Sequence, residues 1–174
     1  MKSALHRLPS LLLAAALLGL AGPANAQEKS VRPDINKDFQ DPDLAKFLGI
    51  FEGESREQVT HRKEIIAACK PRPGMAVADV GAGTGLFTRL LAQEVGSEGR
   101  VYAVDIARKF LDHIEKTSRE VGLKNVVGIL STQDSVKLPP GSVDLVFICD
   151  TYHHFEFPFK TMRSISGNLF RRGY

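Results

Sequence analysis

This 174-residue chain lacks a large excess of either positive or negative charge. It has 23 Lys and Arg against 20 Asp and Glu, which gives a formal net charge of +3. Lys2 and Arg7, and no acid, lie in the first 26 residues, so the rest of the chain carries 21 basic and 20 acidic residues, a net charge of +1. This near-neutral balance leaves no electrostatic footprint for nucleic acid or an anionic membrane.

Cysteine is also scarce, with Cys69 and Cys149 as its only two positions. Cys69 falls on a predicted helix and Cys149 at the end of a predicted buried strand, so we expect two free thiols rather than a disulfide. Neither cysteine has neighbours at the spacing of metal ligands, and we predict no metal site.

Long apolar runs are lacking too. The run Leu11–Leu20 is shorter than the roughly 20 residues that cross a bilayer. It follows a basic start and precedes Ala24-Asn25-Ala26, whose small residues suit signal peptidase. Residues 1–26 are therefore predicted to be a signal peptide that is cleaved after Ala26, and the chain is expected in the periplasm or secreted, with no permanent membrane span.

The stretch Val77–Ala92 predicts a buried strand, a glycine turn and a helix. No phosphate-loop lysine follows the glycines, and Leu86 stands where a dinucleotide fingerprint needs a small residue. Asp79, two residues before the turn, would repel a pyrophosphate. The turn therefore favours a ligand that carries positive charge. Its glycines are Gly81, Gly83 and Gly85.

Strands and helices are predicted to alternate after this turn. Runs rich in Val and Ile predict strands that are covered on both faces, as in a parallel sheet. A helix over 107–121 would place Phe110, Leu111, Ile114 and Val121 on its packed side. The fold class is therefore α/β, an open parallel sheet with flanking helices. The four strands are predicted at residues 77–80, 100–106, 125–130 and 143–149.

The chain before this sheet is predicted to divide at residue 53. Residues 27–53 are expected to form a linker and then a short lid or docking segment around Leu44, Phe47, Leu48 and Phe51. Residues 54–174 form the single α/β domain. Its first helix begins with a capping box at Ser55–Gln58 and ends before Pro71.

Acidic side chains recur at the carboxyl ends of the strands, where ligands bind in open α/β sheets. Asp105 ends the second strand, 20 residues after Gly85, and an acid there can accept both hydroxyls of a ribose. We expect its loss to weaken ligand binding strongly and to leave the melt of the unliganded domain nearly unchanged. The full set of strand-end acids is Asp79, Asp105, Asp134 and Asp150.

Three motifs in order resemble those of class I S-adenosylmethionine-dependent methyltransferases. They are the glycine turn with Asp79, Asp105 after the second strand, and Asp134–Pro139 followed by Ser142–Val146. The resemblance covers about residues 55–159 and implies a Rossmann-like sheet of strand order 3-2-1-4, with S-adenosyl-L-methionine as the cofactor. The family sheet has further strands, so the resemblance implies a chain that is truncated after the fourth strand or completed by a second chain.

The resemblance also implies roles for individual residues. The glycine turn would cradle the methionine and ribose parts of the cofactor, and Asp79 would hold its amino group. Asp105 would accept from the ribose hydroxyls and Asp134 from the adenine amino group, while Asp150 and Thr151 would flank the sulfonium. The implied cofactor-binding set is Asp79, Gly81, Gly83, Gly85, Asp105, Ile106, Asp134, Asp150 and Thr151.

Methyl transfer requires orientation of two reactants and no metal. An oxygen or carbon nucleophile would gain from a general base, and Tyr152, His153 and His154 stand where a base is wanted. The alternative is that the adjacent histidines merely pack or face water. The Asn/Asp-Pro-Pro-Tyr motif of nucleic-acid amino-methylating enzymes is absent, which favours a small-molecule or lipid-like acceptor.

Two other functions remain open from the sequence. One is a non-catalytic or inactive module that binds the cofactor without an acceptor site. The other is an NAD-dependent oxidoreductase, which Leu86 disfavours.

Overall fold

The computed structural model describes residues 28–169. The predicted signal peptide, and the residues after 169 in which the predicted truncation falls, lie outside the described residues, so both stay predictions. Within the described range, no helix combines the length and apolar character needed to cross a membrane. The elements in chain order are α1 (Lys37–Gln40), α2 (Leu44–Phe51), α3 (Glu57–Thr60), α4 (Arg62–Cys69), β1 (Ala76–Val80), α5 (Leu86–Val95), β2 (Arg100–Asp105), α6 (Arg108–Glu120), β3 (Val126–Leu130), β4 (Leu145–Phe147) and α7 (Pro158–Asn168).

The four strands form one parallel sheet in the order β3-β2-β1-β4, which confirms the predicted fold and strand order. β1 lies inside the sheet, where Val77 is in register with Val101 of β2 and Leu145 of β4. β4 is shorter than the predicted 143–149, and Val143 forms a parallel bridge with Leu169 outside it.

Apolar side chains cover both faces of this sheet. Val77 packs in one core cluster with Leu91 of α5, whereas Ala78 packs in a second cluster with Ile165 of α7. Neighbouring residues of a strand point to opposite faces, so this alternation places helices on both sides. The arrangement leaves the carboxyl ends of the strands as the open edge where a ligand can enter.

An aromatic cluster fixes the segment before the sheet onto α6. The rings of Phe47 and Phe110 lie 5.6 Å apart, and the rings of Phe39 and Phe47 lie 5.0 Å apart. Phe51, at the end of α2, lies 6.2 Å from Phe110. Helices α1 and α2 therefore sit beside the open edge of the sheet.

Two local predictions are wrong. Val121 is 63% exposed, because α6 ends at Glu120 and Val121 caps the helix instead of continuing its packed side. The N-cap of α3 is Arg56 rather than Ser55, and no side chain closes a capping box there. The amide of Arg56 donates to the carbonyl of Gly53, so a turn precedes the helix where the capping box was expected.

Candidate active site

The glycine turn passes so close to the chain after β4 that Gly81 must lack a side chain. Gly81 has φ +77°, and a Cβ there would lie 2.2 Å from Thr151 Cγ2. Its amide donates to the carbonyl of Val104 at 2.8 Å, which fixes the turn to β2. Only glycine accepts this backbone conformation and this close approach without strain.

Gly83 and Gly85 have different roles. Gly83 has φ +54° and faces the ring of Phe51, 3.2 Å from the position of a Cβ. Gly85 begins α5 with φ +85°, and a Cβ there would lie 2.6 Å from Ile114 of α6. Gly85 lines neither of the two cavities at this edge, and its close approach to Ile114 gives it a packing role between helices, while its cofactor contact stays a prediction.

Asp105 ends β2 and joins the turn to the next helix. Its Oδ2 accepts from the amide of Gly83 and its Oδ1 from the amide of Ala107, both at 2.9 Å. Burial raises the pKa of this carboxyl to about 6, against the lowering effect of its backbone donors. The carboxyl is thus fixed at the cavity wall beside Ile106.

Asp79 is the second buried acid of the site. Its Oδ2 accepts a hydrogen bond of 2.6 Å from the hydroxyl of Thr88, a completely buried residue of α5 that the sequence did not single out. Burial raises the pKa of Asp79 to about 6, and the charge of Asp105 adds to this, while the Thr88 hydrogen bond opposes it.

Two adjoining cavities open over the turn and form one cleft. The large cavity extends toward the chain after β3, with Asp105, Ile106, Gln133 and His154 in its wall. The small cavity extends toward β1 and α3, with Asp79, Thr84 and Arg56 in its wall. The residues common to both are Phe51, Gly81, Gly83, Asp150 and Thr151.

Asp134 is not in the wall of either cavity, so its contact with the cofactor stays a prediction. A bridge between Thr132 and Ser135 turns the chain back after β3. Asp134 then accepts from the hydroxyl of Thr132 at 2.9 Å and faces Lys160 Nζ at 3.9 Å. Gln133 takes the cavity position in its place.

Only some of the site residues predicted in the chain after β4 lie at the cleft. Asp150 forms an ion pair with Arg56, and Thr151 donates to the carbonyl of Cys149 at 2.9 Å. His153 and His154 are both in the wall of the large cavity. Tyr152 is 57% exposed and lines neither cavity, so the structure does not place it where a base would act.

His154 is the less exposed of the two histidines in the wall of the large cavity. Its Nδ1 is buried and has no hydrogen-bond partner among the described residues. Burial lowers the pKa of His154, and the neighbouring His153 lowers it further. The imidazole of His154 is therefore mainly neutral at neutral pH.

Residues before the sheet also contribute to the cleft, and the sequence did not identify them as site residues. Asn36 is buried and its Nδ2 donates to Gln133 Oε1 at 2.7 Å and to the carbonyl of His154 at 2.8 Å. Phe39 packs edge-on against His154 at 4.9 Å. The spacing of aromatic residues around Phe47 was the only sequence pattern that pointed to this segment. That pattern did not indicate that Asn36 forms hydrogen bonds at the cleft.

The residues present suit a ligand with a ribose and a positively charged end. The glycine turn leaves room for close approach, Asp105 presents a fixed carboxyl, and three acids face the two cavities. Among the described residues that line them, Arg56 has the only permanently cationic side chain. A ligand that carries several phosphates would find acids rather than cations here.

Comparisons with known proteins agree with this chemistry. Residues 78–174 match the family model of a methyltransferase domain. The chain is similar to aklanonic acid methyltransferase DauC of Streptomyces sp. (strain C5), with 31% identity over 84 residues, 48% of this chain and 38% of the relative. It is also similar to demethylmenaquinone methyltransferase of Geobacillus stearothermophilus, with 32% identity over 93 residues, 53% of this chain and 40% of the relative.

A solved structure extends the likeness over more of the chain. A SAM-dependent methyltransferase from Aquifex aeolicus superposes with a TM-score of 0.67 and 27% identity, and the match covers 74% of this chain and 68% of that one. The chain spans less than half the length of the two curated relatives that it matches.

Proposed function

Because the chain belongs to the S-adenosylmethionine-dependent methyltransferase family, we propose that it binds this cofactor in the cleft and methylates a small, uncharged acceptor there. The observation that carries the proposal is the fixed carboxyl of Asp105 beside the amide of Gly83. A carboxylate at the end of the second strand accepts hydrogen bonds from ribose hydroxyls, and a glycine turn lets the ligand approach the backbone closely.

Each of the two cavities suits a different part of the cofactor. Asp105 and Ile106 of the large cavity suit the ribose and the apolar face of a base. Asp79 of the small cavity suits a cationic amino group, because opposite charge stabilises a buried carboxylate. When bound, the cofactor supplies a methyl group on a positively charged sulfur. The protein's part is to hold that group and the acceptor in line and to exclude water.

The large cavity also indicates the class of acceptor. Its wall includes the rings of Phe39, Phe51 and Phe155 together with the amide side chain of Asn36. None of its described lining residues is Lys or Arg, so a carboxylate or phosphate on the acceptor would have no permanent cation to pair with. We infer an uncharged acceptor with an apolar body and a hydroxyl or similar group.

His154 supplies a place for the acceptor's proton. We infer that the imidazole of His154 takes this proton as the acceptor's nucleophilic atom bonds to the methyl carbon and the bond from that carbon to sulfur breaks, leaving S-adenosylhomocysteine. The hydrogen bond from Asn36 to the carbonyl of His154 holds that part of the chain in position. Family membership gives no support to the nicotinamide oxidoreductase.

A thermal melt of the chain from Gln27 with and without S-adenosylhomocysteine tests cofactor binding. At about 100 times its dissociation constant, a ligand of the folded state adds roughly 2.7 kcal/mol to the free energy of unfolding. We expect an upward shift with this ligand and none with NAD. A shift with NAD alone would overturn the proposal.

Release of S-adenosylhomocysteine from S-adenosylmethionine, measured over a panel of uncharged hydroxylated acceptors and matched carboxylated ones, tests catalysis. We expect product with the uncharged set. A chain that binds the cofactor but turns over no acceptor of either set would instead be the non-catalytic binding module.

A further inference from the structure

Arg56 faces the cleft from the N-terminus of α3, outside the elements that carry the family motifs. Its guanidinium forms an ion pair with the carboxylate of Asp150. The side chain of Asp150 is 43% exposed and its backbone is left-handed, with φ +53°. The pair therefore joins α3 to the chain after β4 across the mouth of the small cavity.

The guanidinium is held by more than its ion pair. It lies over the ring of Phe51, 5.5 Å from the centroid, and also donates to the carbonyl of Ile50 at 3.5 Å. Stacking on an aromatic ring positions an Arg independently of its acidic partner. Loss of Asp150 from the pair would thus leave Arg56 at the cavity wall.

The small cavity presents charges of both signs. Asp79 and Asp150 supply carboxylates, and Arg56 supplies the only permanent cation among its described lining residues. This set matches an amino-acid end, which carries an ammonium and a carboxylate. Arg binds carboxylates well because its planar fork offers two parallel donors.

We propose that Arg56 receives the carboxylate of the cofactor's methionine portion, and that this carboxylate replaces Asp150 as its partner. The inference rests on the proposed function, since it assumes S-adenosylmethionine as the ligand. After this exchange Arg56 still has one carboxylate partner, and Asp150 is free to face the large cavity. The Oδ1 of Asp150 lies 3.9 Å from His153 Nδ1 on that side.

The test compares two ligands that differ in the amino-acid end. S-adenosylhomocysteine has this end, and 5′-methylthioadenosine lacks it but keeps the adenosine and the sulfur. Titration calorimetry of Arg56→Gln should show at least about tenfold weaker binding of S-adenosylhomocysteine, as expected for loss of a charge-assisted hydrogen bond. Binding of 5′-methylthioadenosine should change by less than about twofold.

Arg119→Gln is the matched control. Arg119 pairs with Glu115 at 3.1 Å on the outer face of α6 and lines neither cavity, so this variant should bind both ligands as the unmodified chain does. Equal weakening of both ligands by Arg56→Gln would overturn the inference and make Arg56 a structural residue. Unchanged binding of S-adenosylhomocysteine would overturn it too. If the unmodified chain binds neither ligand, the proposed function itself fails.

Discussion

Replacement of Thr88 by Val tests whether Asp79 is a buried, ionisable acid. Val has nearly the shape of Thr and removes only the hydroxyl, which donates to Asp79 Oδ2 at 2.6 Å. Thr88 is completely buried and lines neither cavity, so water does not take the place of the lost hydroxyl. The cost therefore depends on whether Asp79 carries a charge.

The cost should rise with pH. Burial raises the pKa of Asp79 from 3.8 to about 6, so its ionisation destabilises the fold as pH rises through this window, and the loss is complete above it. The Thr88 hydrogen bond lowers this pKa, so Thr88→Val raises it further and penalises the ionised form. We expect the free energy of unfolding to fall by about 2 kcal/mol at pH 8 and about 1 kcal/mol at pH 5, the range for charged and neutral acceptors.

Urea unfolding followed by circular dichroism measures both values, since the chain has no Trp for fluorescence. Thr161→Val is the matched control, because Thr161 is 4% exposed and its hydroxyl donates to the neutral carbonyl of Gln133 at 3.3 Å. Its cost should be the same at both pH values. An equal cost of Thr88→Val at pH 5 and pH 8 would refute the argument that Asp79 ionises between them.

Two further predictions concern the cleft. Gly81→Ala should abolish cofactor binding and lower the free energy of unfolding by about 2 kcal/mol or more, because the new Cβ would meet Thr151 at 2.2 Å in a left-handed backbone. Calorimetry and urea unfolding measure the two effects. Cofactor binding as in the unmodified chain would contradict the prediction. His154→Ala should lower kcat by about 100-fold or more with little change in S-adenosylhomocysteine affinity. His153→Ala should have a smaller effect on kcat. Full turnover by both variants would exclude a histidine base.

Much of the sheet was predictable because its signals are local. Runs of apolar residues marked the strands, and glycines marked the turn at Gly81. The strand order followed from the resemblance rather than from composition. The ends of elements were less predictable: Val143, predicted to begin the fourth strand, bridges instead to Leu169, 26 positions further along the chain.

The site was predictable only where one strand end decides the geometry. Asp105 reaches the cleft because β2 ends there, and the sequence shows that directly. Asp134 does not, because a turn of four residues after β3 presents Gln133 instead. Asn36 and Arg56 lie far from the motifs in sequence, and only tertiary packing brings them to Gln133 and Asp150.

Asp105 shows why binding and folding are not separable at this cleft. The sequence leads to the expectation that loss of Asp105 spares the unliganded fold. In the structure its two oxygens accept from the amides of Gly83 and Ala107, so removal leaves two backbone donors without their acceptor. The amide of Ala107 is buried, and an unsatisfied buried donor costs about 1–3 kcal/mol. The carboxyl that would hold the ribose thus also holds the turn that admits it, and Arg56, which bonds to neither amide, is the better position at which to change affinity alone.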